Sequence, residues 1–514
     1  MSKWLRVDGQ PVALEPGDEA RSLLDVLRQR AGMTSVKDGC APQGQCGCCT
    51  VLVDGAPRVA CVTQTRRVVD RDITTIDGLD PAVRDAWVQG FCDTGASQCG
   101  FCTPGIIVRL AATAGRVPVE DALLAHLCRC TGWRTILQAA ELVTDRQGSP
   151  DDAGPPRDWA AAARRASIEG HTPQAVGPDV ALGRGGFADD TAPGDALVAV
   201  PDGRGGWALG ETVTEARAAA GRVQGRNTTL EPRWPVALPP GDWDLTLRTT
   251  WVEPAYLEPD ASWCRPGGEP ASPLANGGAF GGKMASVAPA AARRLADEHD
   301  RPVRVVLSRE DVVRLGHKRP PLAAGVRRDG SGVVRVVRTP GISRAIAAVA
   351  PGLVVEEVDA PGPPTSAAIR GAGWAEASVL LAAVAGRTAV TSPAGATASA
   401  AVGQGGEVRV RVACGRPLDP VVLRSYCVGA AHMALGWVRS EAISVGDDGV
   451  PLDLTVRSFG VLRARDTPVI EVDIDDGDGR EPVNGSDAVF AAVAAAVWQA
   501  DGLPGRWPDR CRQA

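Results

Sequence analysis

The chain has 514 residues, 44% of them hydrophobic and 23% charged, with a formal net charge of −6. That length exceeds one ordinary core and sets an expectation of about two to four domains, while the hydrophobic share excludes a disordered chain. Two Tyr, six Phe and no basic stripe exclude a nucleic-acid binder.

The opening residues, MSKWLRVDGQPVALEPGDEA, contain no apolar leader and no twin arginine. The longest apolar runs, 377–386 and 487–498, are too short to span a bilayer. A cytoplasmic protein without membrane contact is the expectation. In such a reducing compartment, clustered thiols serve as metal ligands or redox groups and not as structural disulfides.

Residues 3–15 alternate and turn at DGQP, which predicts a hairpin. The spacing of 19–32 predicts a helix ending at Gly32, and 49–63 predicts a second hairpin turning at Asp54-Gly55. Strands around a helix, with cysteines on the loop between, predict a small β-grasp domain. Residues 80–145 carry four helical patterns. Residues 146–175 begin as a polar Pro/Gly-rich linker. Beyond 176, short β-branched runs alternate with alanine-rich helical stretches at 287–297, 376–385 and 487–498, an α+β texture.

Ten of the fourteen cysteines precede residue 131. The first group, Cys40, Cys46, Cys49 and Cys61, is spaced C-x5-C-x2-C-x11-C. A plant-type [2Fe–2S] loop is C-x4-C-x2-C with a distant fourth cysteine, one residue shorter. Gly39, Gly44 and Gly47 suit a loop that wraps a flat cluster closely. Cys48 is a spare thiol beside these ligands, and either Cys48 or Cys49 can bind; Cys49 keeps the usual two-residue bite. The second group, Cys99, Cys102, Cys128 and Cys130, is spaced C-x2-C-x25-C-x-C. A four-cysteine zinc site is the alternative for this group, although C-x-C is an unusual zinc bite. Cys92 reads as a buried structural cysteine.

The stretch GCAPQGQCGCCTVLVDG, followed by QCGFCTPG and LCRCTGW, resembles the two-cluster iron–sulfur module of the molybdenum hydroxylases, the family of xanthine dehydrogenase, aldehyde oxidoreductase and aerobic carbon monoxide dehydrogenase. The resemblance covers residues 1 to about 145. It implies an α+β protein with a β-grasp, ferredoxin-like [2Fe–2S] domain (1–77), a four-helix [2Fe–2S] domain (78–145), a linker (146–175) and a shortened mixed α+β molybdopterin-type domain (176–514). The eight cysteines of the two groups would hold two [2Fe–2S] clusters, and Gln98 and Cys130 would also approach molybdopterin.

Farther along, NGGAFGGK resembles the family's Gly-rich cofactor loop, with Ala279 where glycine is usual. It contributes Gly277, Gly278, Ala279, Phe280, Gly281 and Gly282 as cofactor-binding candidates. AAIRGAGWAEA resembles a second cofactor motif and supplies Arg370. Gln404 in VGQGGEV is a further cofactor candidate that reads equally as a turn between strands. Glu481 lies where the family places its catalytic general base, and Arg370 and Glu481 are the catalytic pair the resemblance implies. Arg480 replaces the usual glycine before that Glu, and Met284 replaces a glutamate of the purine enzymes, which argues against xanthine.

The expected activity is hydroxylation of an aldehyde or N-heterocycle with oxygen from water. The expected partners are a small-molecule substrate, a separate FAD-containing subunit or other electron acceptor, and a second copy in a homodimer. The rival expectation is a two-cluster electron-transfer protein whose reduced C-terminal domain no longer binds molybdenum.

Overall fold

The computed structural model describes residues 3–145, 157–221, 232–274, 276–277 and 279–509. Strands Trp4–Val7 and Gln10–Ala13 form the first predicted hairpin, and Thr50–Val53 and Ala56–Val59 the second. Strand Asp72–Thr74 lies between them, parallel to the first strand and antiparallel to the third, closing a five-stranded sheet. Helix Leu23–Gln29 covers it, started by Ser22, whose hydroxyl accepts from the Asp25 N–H. Leu23, Leu24, Val26 and Leu27 face inward at helical spacing.

The helical module consists of Pro81–Thr94, Thr103–Thr113, the short Val119–Ala122 and Arg134–Asp145. One core runs through both modules and on into Trp251, Val313, Ile443, Leu454 and Phe459 of the later chain. The cysteine-rich part is therefore fused to the remainder by packing and not tethered to it.

The expected linker needs correction. Trp159–Gly170 is a helix, capped by Asp158, whose Ala162 and Ala166 pack on Val422 and Tyr426. Its small apolar residues at i, i+4 spacing supply a buried face that the polar residues before it conceal in the sequence. Residues 146–156 lie outside the described residues.

Among the described residues, the later chain holds three four-stranded sheets. One combines Leu197–Pro201, Trp207–Gly210, Ala261–Cys264 and Val303–Val306. The other two flank a second core built on the helices Trp374–Val384, Pro420–Arg439 and Ser486–Ala500. Among the described residues, only Pro420–Arg439 is long and apolar enough to cross a membrane, and here it is the buried central helix.

Candidate functional site

The loop from Gly39 to Cys49 turns inward because Ala41, Gly44 and Gly47 all adopt positive φ, at 42°, 71° and 70°. Cys40, Cys46 and Cys49 are buried, as is Cys61 beyond the hairpin. The Cys40 thiol lies within hydrogen-bond reach of Cys46 and Cys61, and Cys61 within reach of Cys49, so these four converge. The Gln43 N–H donates to Cys40 Sγ at 3.1 Å and the Cys61 N–H to Cys49 Sγ at 3.4 Å. Backbone N–H groups aimed at sulfur are a means by which proteins tune iron–sulfur ligands. Of the two adjacent cysteines, Cys49 is within hydrogen-bond reach of Cys61, whereas Cys48 lies beside Cys46 and Gly39.

In that second group Cys130 Sγ and Cys99 Sγ are 3.6 Å apart, and Cys102 and Cys128 are hydrogen-bonded to each other. The bond from Cys102 pulls the Cys128 thiol down to about 6 against the cost of burial. Each pair sits just before a helix start, at Thr103 and Arg134. The two loops interlock. The Leu127 N–H donates to the Cys46 carbonyl at 2.9 Å, and buried His126 meets Thr50 Oγ1 at 3.1 Å. Burial holds His126 neutral, its pKa pushed down to about 3.

Cys99 and Cys130 also form one wall of a cavity that encloses about 790 Å³ of open space, mouth included. Gln98 stands beside them, its Nε2 donating to the Cys130 carbonyl at 3.1 Å and to Ser425 Oγ at 2.9 Å. Gly277 passes over Cys99, and Asn276 Nδ2 donates to the Cys99 carbonyl. Arg370 stacks on Phe280 at 4.9 Å, and its Nη1 donates to Asp487 at 3.2 Å. His171 Nε2 lies 2.8 Å from the other Asp487 oxygen. Burial alone would raise the Asp487 pKa; the His171 bond and the Arg370 charge outweigh it and hold the carboxyl below its usual range. The same bond raises His171. Burial also raises Glu258, although its second oxygen pairs with Lys283 Nζ at 2.7 Å. Glu258 Oε1 borders the cavity without a hydrogen-bond partner.

The backbone of Arg370 is itself strained, with φ 44°. Arg319 holds it by donating through Nη1 to the carbonyls of Ile369 and Arg370 at 3.0 Å, while its other nitrogens grip Glu376 at 2.7 and 2.8 Å. The glycines of NGGAFGGK have a structural reason. A Cβ on Gly281 would lie 2.2 Å from the Ala368 carbonyl, and one on Gly282 would lie 2.8 Å from Tyr256. Gly281 therefore seats the loop against 368–369 and Gly282 against Pro254 and Tyr256, while Asn276, Gly277, Ala279, Phe280 and Lys283 of that motif line the cavity. Gly278 lies outside the described residues.

Two sequence expectations are corrected. Glu481 is 83% exposed, 3.4 Å from Arg416, and does not reach the cavity. The chain on either side is pinned to the 414–416 backbone, through Arg416 N–H to the Arg480 carbonyl and Val483 N–H to the Cys414 carbonyl, and this turns the side chain outward. Gln404 is exposed at the tip of the tight turn between strands Thr397–Val402 and Val408–Ala413. Asp487, His171, Glu258 and Arg319 were not legible as site residues. The available signal was an Asn-Gly-Ser-Asp helix start for Asp487; His171 lay in the expected linker.

The descriptions "2Fe-2S iron-sulfur cluster binding domain" and "[2Fe-2S] binding domain" match residues 5–73 and 75–141. The nicotinate dehydrogenase small FeS subunit of Eubacterium barkeri is 34% identical over 149 residues, 28% of this chain and 92% of that one. The chain belongs to the molybdenum hydroxylase family. Another relative, the aldehyde oxidoreductase of Megalodesulfovibrio gigas, is 43% identical over 136 residues, but these are 24% of this chain and only 14% of the relative. The solved aldehyde oxidoreductase of Desulfovibrio desulfuricans superposes with a TM-score of 0.67 at 14% identity, spanning 97% of each chain. That likeness shows a shared fold through the later part of the chain, whose loops and helices close the cavity. The chemistry of this family member's cavity fits a molybdopterin group. An orphaned carboxylate oxygen on Glu258, an amide at Gln98 and a guanidinium at Arg370 are polar partners for a pterin and its phosphate.

Proposed function

We propose that this chain is a molybdopterin-dependent oxidoreductase that hydroxylates an aldehyde or an N-heterocycle and discharges electrons through two [2Fe–2S] clusters. The observation that carries this reading is the cavity whose wall is formed by Cys99 and Cys130, with Gln98 and Arg370 in its lining. In this reading Cys40, Cys46, Cys49 and Cys61 hold one cluster, and Cys99, Cys102, Cys128 and Cys130 the other. Residues 1–77 and 78–145 would carry the clusters, and 176–514 would close the cavity against Gln98, Cys99, Cys130 and His171 of the earlier chain. Gln98, Cys130, Gly277, Ala279, Phe280 and Arg370 would hold the cofactor, which supplies two-electron oxidation of the substrate carbon and oxygen from water.

The chain's own contribution is binding and proton handling. Arg370, braced by Phe280 and Asp487, presents a fixed positive charge to anionic oxygen. With Glu481 at the surface, the proton falls to His171. With its Nε2 2.8 Å from Asp487, the tautomer that donates from Nε2 would leave Nδ1 as the accepting atom. The names of relatives such as the xanthine dehydrogenase iron-sulfur-binding subunit of Escherichia coli O157:H7, 35% identical over 142 residues, support a multi-subunit setting. A separate FAD-containing subunit is the proposed acceptor, and the thiol-rich composition suits the cytoplasm.

One observation favours the relay reading: Glu481 and Gln404 both lie outside the cavity. Metal analysis of the purified protein separates the two. Two clusters require about four Fe per chain, and the hydroxylase reading adds about one Mo per chain. Iron at that level without molybdenum, from cells that load other molybdoenzymes, overturns the hydroxylase reading and leaves the relay.

A further inference from the structure

Arg309 is a fully enclosed cation, 0% exposed. Its Nη2 donates to the Gly39 carbonyl at 2.7 Å and to the Leu257 carbonyl at 2.8 Å. Nε and Nη1 are buried and have no hydrogen-bond partner. Among the described residues Arg309 joins no ion pair, and its remaining polar contact is the face of Tyr256 at 5.9 Å. The acids beside it in the chain, or beside its contacts, are engaged elsewhere. Glu310 pairs with Arg314 at 2.9 Å and Glu258 with Lys283 at 2.7 Å. Asp260 accepts from the Tyr256 hydroxyl at 2.6 Å, and Asp311 caps the helix that Arg309 starts. A charge taken out of water is costly unless an opposite charge answers it. The position of the guanidinium says where that opposite charge lies. Gly39 precedes Cys40, and a Cβ on Gly39 would sit 3.0 Å from Cys46 Sγ. Arg309 therefore abuts the start of the first ligand loop from the later chain.

Two ferric ions, two sulfides and four thiolates carry a net charge of about −2, and one-electron reduction makes it about −3. We infer that Arg309 is the counter-charge of the ferredoxin-like cluster and raises its reduction potential. The cause is Coulombic. A fixed cation in a low-dielectric interior stabilises the more negative, reduced form more than the oxidised one. Arginine suits the place because it keeps its charge when buried, whereas lysine gives up its proton readily. The half of the molecule that closes the cavity would thus set the potential of a cluster held by the other half. Arg309 bonds to carbonyls and not to sulfur, so it acts on the cluster through its charge. The inference rests on the iron–sulfur ligand set of the proposed function and not on molybdenum.

The test is a potentiometric titration of the full chain read by electron paramagnetic resonance, with iron measured on the same samples. Arg309→Gln keeps an amide donor for the two carbonyls but removes the charge. It should retain about four Fe per chain. At a fixed potential it should lower the reduced-to-oxidised ratio of the ferredoxin-like cluster about tenfold, equivalent to about 59 mV for one electron. The helical-domain cluster should move less, because Arg309 abuts the first ligand loop. Arg309→Lys, titrated at about pH 6 where lysine holds its proton, should restore most of the potential. An unmoved potential in Arg309→Gln overturns the inference, since the carbonyl bonds alone would then account for the residue. So does a potential as low in Arg309→Lys as in Arg309→Gln, or an equal shift of both clusters. Loss of the ferredoxin-like cluster from both variants also overturns it and makes Arg309 a brace for the loop. Loss from Arg309→Gln with retention in Arg309→Lys upholds the counter-charge. Absence of iron from the unaltered protein would instead fail the cluster assignment itself.

Discussion

At the scale of single residues, the cavity is governed by which acids it buries. Glu481 stands in a solvent-exposed ion pair with Arg416, and such pairs contribute about 0–1 kcal/mol. Glu481→Gln should therefore change the unfolding free energy by about 0.5 kcal/mol or less. It should also leave iron, molybdenum and dye-linked turnover unaltered. Loss of turnover with both cluster spectra intact would return Glu481 to the mechanism. The cavity's own acid, Asp487, makes a pH-dependent prediction. Its pKa is lowered from 3.8, so its contribution is present above that value and is lost as the pH falls through the folded pKa. His171 is raised from 6.5, so its contribution is complete below that value and is lost as the pH rises through the folded pKa. The pair is fullest between about pH 4 and 6.5, with Arg370 and Glu169 the other charges facing it. The urea midpoint should fall as the pH rises from about 6.5 through the folded His171 pKa, and His171→Gln should remove that component of the fall. An identical profile in His171→Gln would refute the pairing.

The same scale shows what was legible. The two cysteine groups, which the structure brings together, could be separated because thiol spacing is a local property of the chain. Arg370 and the Gly-rich loop, singled out by resemblance, meet at the cavity. Glu481 does not, because its direction is set by hydrogen bonds to 414–416, a segment distant in sequence. The Asp487–His171 contact joins residues 316 apart, a pairing no spacing rule reaches.

At the scale of elements, the helix Pro420–Arg439 binds the cavity to the second cysteine group. Sequence periodicity did not reveal it, because its residues from Val422 to Val438 are buried on nearly all sides and leave no polar stripe. The amphipathic helices Leu23–Gln29 and Arg134–Asp145, each with one buried face, were legible for the opposite reason. Gly429 in the central helix tests the contact by sign. Ala is favoured over Gly in a helix by about 0.8–1 kcal/mol, so Gly429→Ala would stabilise an unobstructed helix. Here the new Cβ would meet the Cys130 carbonyl at 1.8 Å. The expected result is a loss of about 1–3 kcal/mol, together with an altered resonance spectrum of the helical-domain cluster. A gain in stability with an unchanged spectrum would show that the helix does not rest on the ligand loop.

Across the whole molecule, the clusters and cavity share one frame. Gln43, within the first ligand loop, donates to the Leu454 carbonyl at 2.8 Å and accepts from the Val456 N–H at 3.1 Å. Trp133 Nε1 donates to the Leu462 carbonyl, and Arg309 reaches the Gly39 carbonyl at 2.7 Å. The strongest tie is Arg129, between Cys128 and Cys130, which grips Glu441 through both terminal nitrogens at 2.6 Å in a fully buried pair. Breaking a buried pair leaves one charge without its partner and costs about 3–5 kcal/mol. If the cysteine modules were independent domains, Arg129→Met would lower only their transition. Because one core runs from Leu5 to Phe459, cluster absorbance and tryptophan fluorescence should instead report the same midpoint in the unaltered protein. Both should fall together in Arg129→Met. Separate midpoints for the two signals in the unaltered protein would mean that the cavity and the clusters unfold independently, and that their alignment is a docking equilibrium and not a property of the fold.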